Sequence, residues 1–285
     1  MRVCKLNNRD VITVKKIKAL LAVAILMTTA INNTYAGTIP QCGSALCPAD
    51  FDIFFDGKQV GGGQIIYDAE TGVVSLDADN NVRGNGIKTA QGGLMWMMGD
   101  GSVARVNSLY GNADPILGFG LGATTASAGR TFSFAFNLPI SVSGLIQADS
   151  SIDYSLTALT SAGADIAPVF GPHILTARDV DATPGGLLPL DKEVDVGDRF
   201  FFTDNTGPET RGPAAPFTDS ALITGSTDYD LMAVQIAFLL SANSTVGISG
   251  FVSQVEVPVP AAMPLFLLAI SCMGFVGRKK FCRSC

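Results

Sequence analysis

Three oxygen-bearing side chains, Asp77, Asp79 and Asn81, stand at alternate positions and have the chemistry to bind a metal ion. Carboxylate and amide oxygens are the ligands that Ca²⁺ takes, and alternate spacing is how an EF-hand loop begins. The segment then departs from an EF-hand, because Val82 occupies the position of the glycine and Lys88 that of the bidentate glutamate. The preferred interpretation is that these acidic residues solvate turns and that the protein has no cofactor, and the alternative prediction is one structural Ca²⁺ site at the three residues.

Catalytic chemistry has little support in the sequence. A Ser-His-Asp triad would have to use His173, the only histidine, and no G-x-S-x-G nucleophile elbow occurs. A glycosidase needs two carboxyl groups about 5–10 Å apart, but the aspartates of DAETG and GDG stand where turn chemistry explains them. We therefore predict a non-enzymatic protein without catalytic residues. A hydrolase that acts on polysaccharide or peptide is the alternative.

Cysteine usage separates the ends of the chain from its middle. Of the six cysteines, only Cys42 and Cys47 lie between Gly37 and Glu256. In an oxidising compartment this close pair is expected to form a local disulfide, worth about 2–3 kcal/mol on the loop-entropy model. A zinc site would need two further ligands, and this part of the chain has only His173 to add.

Alternating apolar residues predict strands throughout the middle of the chain. In TFSFAFNL, the side chains of Phe132, Phe134 and Phe136 fall on one face, and SIDYSLTAL alternates in the same way. The segments GQIIYDAETGVVSLDAD and LMWMMGDGSVARV each predict a hairpin around a polar turn. The phenylalanine stripe and Trp96 are predicted to lie in the core, with stacking against a sugar ring as the alternative.

The remaining segments complete an all-β prediction. YDLMAVQIAFLL and STVGISGFVSQVEV flank a polar turn and predict a final long hairpin, and DNTGPETRGPAAPFTDS predicts a long surface loop. Many short strands, glycine-rich turns and few charges together predict an antiparallel β-sandwich that is jelly-roll-like. We expect one such domain over residues 37–256.

The N-terminal segment, residues 1–36, has the features of an export signal. A basic region that includes KKIK precedes the apolar run ALLAVAILMTTAI, and small residues precede Gly37. This order predicts a secretory signal peptide that is cleaved between Ala36 and Gly37.

The C-terminal segment, residues 257–285, combines an apolar run with a basic cluster. The run from Ala261 to Val276 is marginal beside the ~20 residues that usually span a bilayer. The residues that follow it predict a stop on the cytoplasmic side of a membrane; they are Arg278, Lys279 and Lys280. The segment therefore predicts a transmembrane helix that ends the chain.

This C-terminal segment resembles the PEP-CTERM family of sorting signals in its V-P-x-P-A form. The motif residues that carry the resemblance are Val257, Pro258, Val259, Pro260 and Ala261, and the apolar run and basic cluster follow in the family's order. Val259 stands where the named motif has glutamate. The resemblance implies a tail held transiently in the inner membrane of a Gram-negative bacterium and cut by an exosortase near the Pro-x-Pro motif.

The charge of the middle segment limits its partners. Residues 37–256 contain 9 Lys/Arg and 24 Asp/Glu, a net charge of −15, which repels nucleic acid and anionic lipid. With the resemblance, this charge leads us to expect an exported extracellular or cell-surface protein. Its expected partners are an exosortase and the exopolysaccharide of a biofilm matrix. A surface protein that stays anchored in the membrane is the alternative.

Overall fold

The segments in which apolar and polar residues alternate form antiparallel strands, as the sequence predicts. The computed structural model describes residues 41–42, 45–46, 49–67, 73–79, 82–112, 116–142, 145–180, 194–203, 208–224 and 229–257. Within these ranges the regular elements are strands, and their ladders are antiparallel, which confirms the all-β antiparallel prediction.

The strands have the following bounds: β1 Gln41–Cys42, β2 Ala45–Leu46, β3 Asp50–Phe55, β4 Lys58–Tyr67, β5 Val74–Leu76, β6 Arg83–Gly84, β7 Ile87–Lys88, β8 Leu94–Met97, β9 Val103–Asn112, β10 Ile116–Thr124, β11 Arg130–Val142, β12 Leu145–Ala158, β13 Ala164–Pro168, β14 Leu175–Val180, β15 Val194–Val196, β16 Phe200–Phe202, β17 Glu209–Arg211, β18 Phe217–Thr224, β19 Tyr229–Leu240 and β20 Ser244–Glu256.

The long strands form two groups, which we call the first and second sheets. In the first sheet β4 pairs with β3, β3 with β11, β11 with β19, and β19 with β13 and β14. In the second sheet β5 and β8 pair with β9, and the order continues through β10, β20 and β12 to β17 and β18. Because the end of β4 also pairs with β5, the two groups join into one curled antiparallel sheet.

The hydrophobic core lies between the two sheets. Phe132, Phe134 and Phe136 on β11 are fully buried, which confirms that they share one face. The ring of Phe136 stacks on that of Phe119 from the second sheet, with 6.3 Å between centroids. Burial of each such side chain stabilises the fold by about 1.5–3 kcal/mol relative to exposure.

Both predicted short hairpins are present. Ile65 faces Leu76 across the pair β4 and β5, and Trp96 faces Ala104 across the pair β8 and β9. The turn of the second hairpin is the predicted GDG bend, where the amide of Gly101 donates to the Met98 carbonyl at 3.0 Å.

The predicted final hairpin is wrong. β19 pairs with β11 and β14 in the first sheet, whereas β20 pairs with β10 and β12 in the second. The turn between them therefore crosses from one sheet to the other. Each strand already has a long ladder on both of its edges, so no edge remains for the two to pair with each other.

The predicted long loop is also wrong in part, because β17 lies within it, β18 begins within it, and both strands pair with β12. Pro208, Pro213 and Pro216 all fall just outside the two strands. Proline removes a ladder donor and is tolerated at strand boundaries, so short strands fit between the prolines.

Residues Gly37–Val257 form one compact unit, and residues 1–36 and 258–285 lie outside the described part of the chain. The predicted signal peptide and the apolar tail therefore have no structural description. In the described part of the chain, no helix is long and apolar enough to cross a membrane. The last described residue, Val257, donates its amide to the Leu145 carbonyl at 2.8 Å.

Candidate functional site

Three consecutive glycines in β4 allow large side chains to pack against both faces of the strand. A Cβ atom at Gly61 would lie 2.0 Å from Trp96 Nε1, and one at Gly62 would lie 2.9 Å from Arg83 Nη2. Both distances are too short for a side chain to be added. The run VGGGQ therefore admits the Trp96 ring on the inner face and the Arg83 side chain on the outer face.

Trp96 is held by its polar edge as well as by packing. Its side chain is only 2% exposed, and its Nε1 donates to the Arg83 carbonyl at 3.0 Å. The Phe51 ring meets it edge-on, with 6.0 Å between centroids. This confirms the predicted core position of Trp96.

Trp96 also forms the wall of an open cavity of about 480 Å³, which we call the Trp96 cavity. Its apolar lining consists of Phe55, Val60, Trp96, Met97 and Met98, and its polar lining consists of Asn85, Asp100 and Arg130, with Gly84 and Gly99 between. Small-molecule sites commonly have volumes of roughly 300–1,000 Å³ and combine an apolar lining with a few polar groups. The Trp96 cavity has both properties.

Arg130, at the start of β11, connects the two turns that border the cavity. Its Nη1 lies 3.0 Å from Asp56 Oδ2 in the turn between β3 and β4, and its Nε lies 2.9 Å from Asp100 Oδ2 in the turn between β8 and β9. The guanidinium carbon lies 5.6 Å from the Phe55 ring centroid, in cation–π contact. Within the described part of the chain, Nη2 makes no hydrogen bond and remains available to a ligand.

The two aspartates are fixed by their own turns. Asp56 has a φ of 47°, next to Gly57 at 75°, and its Oδ1 accepts from the Thr131 amide at 3.0 Å. The Ser102 amide donates to Asp100 Oδ1 at 2.9 Å. This hydrogen bond, supported by Arg130, holds the pKa of the Asp100 carboxyl below its usual value of 3.8. Asp100 is therefore an anion at neutral pH and cannot serve as a general acid there.

A second arginine, Arg83, also bridges two aspartates, on the outer face of the first sheet. Its Nη2 lies 2.7 Å from Asp52 Oδ1 and donates to the Phe51 carbonyl at 2.7 Å, and its Nη1 lies 3.3 Å from Asp50 Oδ2. Asn137 and Gln59 donate further hydrogen bonds to the same two carboxylates. Arg83 does not line the Trp96 cavity, so we regard this group as a structural clasp.

The predicted Ca²⁺ ligands have partners of their own. Asp77 is 7% exposed, and its Oδ1 accepts from the Asp79 amide at 3.2 Å, as in an Asx turn. Asp79 forms an ion pair with Lys88, and Asn81 lies outside the described residues. Among the residues described, no group of three or more His, Cys, Asp or Glu side chains is arranged to hold a metal. The Ca²⁺ site stays a prediction.

His173 lies between β13 and β14 with two aspartates nearby. Its Nε2 is 3.6 Å from Asp195 Oδ2 and its Nδ1 is 3.9 Å from Asp198 Oδ1. Both distances exceed a hydrogen bond. Among the described residues, no serine donates a hydrogen bond to His173.

The other predicted site residues lie outside the described part of the chain. This holds for the cleavage residues Ala36 and Gly37, for Cys47, for Pro258, Val259, Pro260 and Ala261, and for Arg278, Lys279 and Lys280. Cys42 lies in β1, which pairs with β2, but its side chain is outside the description. The disulfide and the sorting signal therefore stay predictions.

Most residues of the Trp96 cavity were not predicted from the sequence. Asp100 was correctly assigned to a turn, but Asp56, Asn85 and Arg130 were not identified as site residues. The signal that points to the site is the glycine run of β4 opposite the only tryptophan, because three glycines in a strand interior mark a close approach by bulky groups.

Comparison with known proteins finds no matching family model and no matching curated protein. Two solved structures share partial similarity. The structure of TmCBM61 in complex with β-1,4-galactotriose has 10% identity and a TM-score of 0.25, and the match covers 49% of this chain and 71% of that chain. The bacteriophage CBA120 tailspike protein 4 enzymatically active domain has 7% identity and a TM-score of 0.25, over 73% of this chain and 19% of that chain. Neither TM-score is high enough to bear on what this chain does.

Proposed function

We propose that residues 37–256 form a jelly-roll-like, non-enzymatic binding domain for polysaccharide, which acts outside the cell in the matrix or at the surface. The observation that carries this proposal is the lining of the Trp96 cavity. Apolar surfaces from Phe55, Met97 and Met98 adjoin the polar groups of Asn85, Asp100 and Arg130. Sugar rings present apolar C–H faces and hydroxyl edges, and this lining offers a partner to each.

Charge favours a neutral glycan as the ligand. Arg130 is already paired with two carboxylates, so the group as a whole carries net negative charge. The remainder of the domain is strongly acidic as well. An anionic polymer would be repelled, whereas a neutral sugar loses nothing by binding next to Asp100.

The ionised state of Asp100 is compatible with a binding role and excludes Asp100 as the general acid of a glycosidase. A glycosidase needs one carboxyl group that keeps its proton at working pH. The pKa of Asp100 is shifted in the opposite direction by the Ser102 amide and Arg130. We therefore propose that Asp100 accepts hydrogen bonds from hydroxyl groups and performs no proton transfer.

Export and sorting form the second half of the proposal, and they rest on the resemblance of the C-terminal tail. In it, the signal peptide directs the chain across the inner membrane, the tail holds it there, and an exosortase releases the domain. The position of the cavity suits this route. β20 begins at Ser244, beside the cavity end of the sheets, and runs about 40 Å to Glu256 at ~3.3 Å per residue. The cavity thus lies at the opposite end of β20 from Val257, where the proposed tether begins.

Binding is tested on a glycan array with the purified domain. We expect signals for neutral oligosaccharides that disappear in Arg130→Ala and persist in Arg83→Ala, the matched control with a similar ion-pair geometry. Shortened oligosaccharide products that vanish when one aspartate is changed to asparagine would instead favour the hydrolase alternative.

Sorting is tested by mass spectrometry of the mature C-terminus. We expect the secreted protein to end near Pro260. Secreted protein that retains Arg278, Lys279 and Lys280 would contradict processing, and protein found only in the membrane fraction would favour permanent anchoring.

A further inference from the structure

Asn85 and Gly86 form the only Asn-Gly dipeptide in the sequence, and they lie in the irregular stretch between β6 and β7. Asn85 is exposed and lines the Trp96 cavity. Within the described part of the chain, neither its side-chain amide nor the Gly86 N–H makes a hydrogen bond. Two groups that can react with each other are thus adjacent, and neither has a competing partner among the residues described.

We propose that Asn85 is a site of spontaneous deamidation in the folded protein. The Gly86 backbone nitrogen loses its proton to solvent base and attacks Cγ of Asn85, which forms a C–N bond and closes a five-membered succinimide. The side-chain nitrogen leaves as ammonia after taking up a proton. Water then opens the ring at either carbonyl to give aspartate or isoaspartate. The balance is one amide and one water converted to one carboxyl group and one ammonia, without oxidation or reduction.

Packing explains why the glycine that makes this reaction easy is required here. A Cβ atom at Gly86 would lie 2.4 Å from Val82 Cγ1 and 2.9 Å from Trp96 Nε1. The cavity wall therefore excludes any larger residue. A glycine places no side chain beside the attacking nitrogen, so the residue that the fold demands is also the one that leaves Asn85 vulnerable.

Two Asn-Ser dipeptides among the described residues serve as comparisons for Asn85. Ser244 follows Asn243, but the Ser244 amide donates to Thr125 Oγ1 at 3.1 Å and the residue is fully buried. Asn107 and Ser108 both lie within β9. The attacking nitrogen is thus bonded after Asn243, and after Asn107 it belongs to Ser108, which pairs with Gly120 in the strand ladder, so we expect both asparagines to stay intact.

Deamidation would change the cavity in two ways. A carboxylate at position 85 adds negative charge to a site that already contains Asp100. An isoaspartate also lengthens the main chain by one methylene directly before Gly86, which rests against Trp96. Under the proposed function, the lengthened main chain weakens glycan binding as the protein ages, whereas the added charge increases the repulsion of anionic ligands.

The test is peptide mass spectrometry after incubation of the folded, purified domain in alkaline and in mildly acidic buffer. We expect the peptide that contains Asn85 to gain about 1 Da, the difference between an amide and a carboxyl group, and to split into two chromatographic forms. The gain should be faster in alkaline buffer, absent in Asn85→Gln, and absent at Asn243. An Asn85 peptide that stays as intact as the Asn243 peptide, or that changes only in denaturant, would overturn the proposal. The readout is independent of glycan binding, so its failure differs from failure of the proposed function.

Discussion

Arg83 and Arg130 make the same charge arrangement at two places on the same curled sheet, with different consequences. Each guanidinium bridges two aspartates, and the two side chains are similarly exposed, at 43% and 32%. Arg83 uses both terminal nitrogens on carboxylates and a backbone carbonyl, and lies on an outer sheet face. Arg130 keeps one terminal nitrogen unbonded in the described structure, stacks on Phe55 and lines a cavity.

An arginine between two aspartates is therefore not evidence of function by itself. A binding arginine differs from a structural one because it keeps an unbonded N–H donor and adjoins a cavity that a ligand can enter. Trp96 belongs to both groups, because it donates to the Arg83 carbonyl and forms the wall beside Arg130. A substitution at Trp96 should therefore disturb both the clasp and the cavity, whereas a substitution at either arginine should disturb only one of the two.

The largest expected effect is that of Trp96→Ala. Removal of a fully buried aromatic side chain leaves a void and should lower the free energy of unfolding by about 3–5 kcal/mol. Denaturant unfolding measures this loss. Phe201→Ala is the matched control, since its ring is 67% exposed and its loss should cost less than about 0.5 kcal/mol. Equal effects of the two substitutions would contradict the assigned core position.

Arg83→Ala should come next, with a loss of about 1–2 kcal/mol, because it breaks charged hydrogen bonds and leaves two neighbouring carboxylates without their shared cation. Thermal unfolding at low and high salt measures it. The loss should shrink in high salt, where repulsion between Asp50 and Asp52 is screened. A substitution that leaves the melting temperature unchanged at low salt would refute the clasp.

A smaller effect is expected from calcium. If Asp77, Asp79 and Asn81 bind Ca²⁺, then calcium at about four times its Kd should stabilise the chelator-treated protein by about 1 kcal/mol. Asp79→Asn should abolish the difference. Identical melting curves with calcium and with chelator would refute the predicted site.

The smallest effect concerns pH and Asp100. Since folding lowers the pKa of this carboxyl, the stability that it contributes is present above its usual value of 3.8 and is lost as pH falls through the lower, folded-state pKa. Acid titration of stability should therefore be shallower in Asp100→Asn than in the unsubstituted protein below about pH 4. Parallel acid-unfolding curves for the two proteins would contradict this assignment.

Local pattern predicted much of the sheet and little of the site. Phe132, Phe134 and Phe136 share a face because strand alternation is a property of neighbouring residues, and the β8–β9 hairpin follows from its turn. The partners of β19 and β20 were not predictable in this way. A polar turn between two apolar strands has the same sequence features whether it joins a hairpin or crosses between sheets.

The cavity could not be predicted from local patterns either, because its polar residues lie far apart in the sequence. Arg130 meets Asp56 from 74 residues away and Asp100 from 30 residues away. No local spacing encodes such a meeting, since it depends on how β3, β8 and β11 are arranged. Only the glycine run of β4 is a local sequence feature that indicates the site, because the glycines leave room for the side chains of Trp96 and Arg83.

Titration of a neutral oligosaccharide into the domain and its two arginine variants tests whether the Trp96 cavity is the binding site. Loss of one charged hydrogen-bond donor should weaken binding by about tenfold or more in Arg130→Ala, while Arg83→Ala binds like the unsubstituted domain at a temperature where both are folded. Equal affinities of the three proteins, or a loss confined to Arg83→Ala, would contradict the assignment of the Trp96 cavity as the binding site.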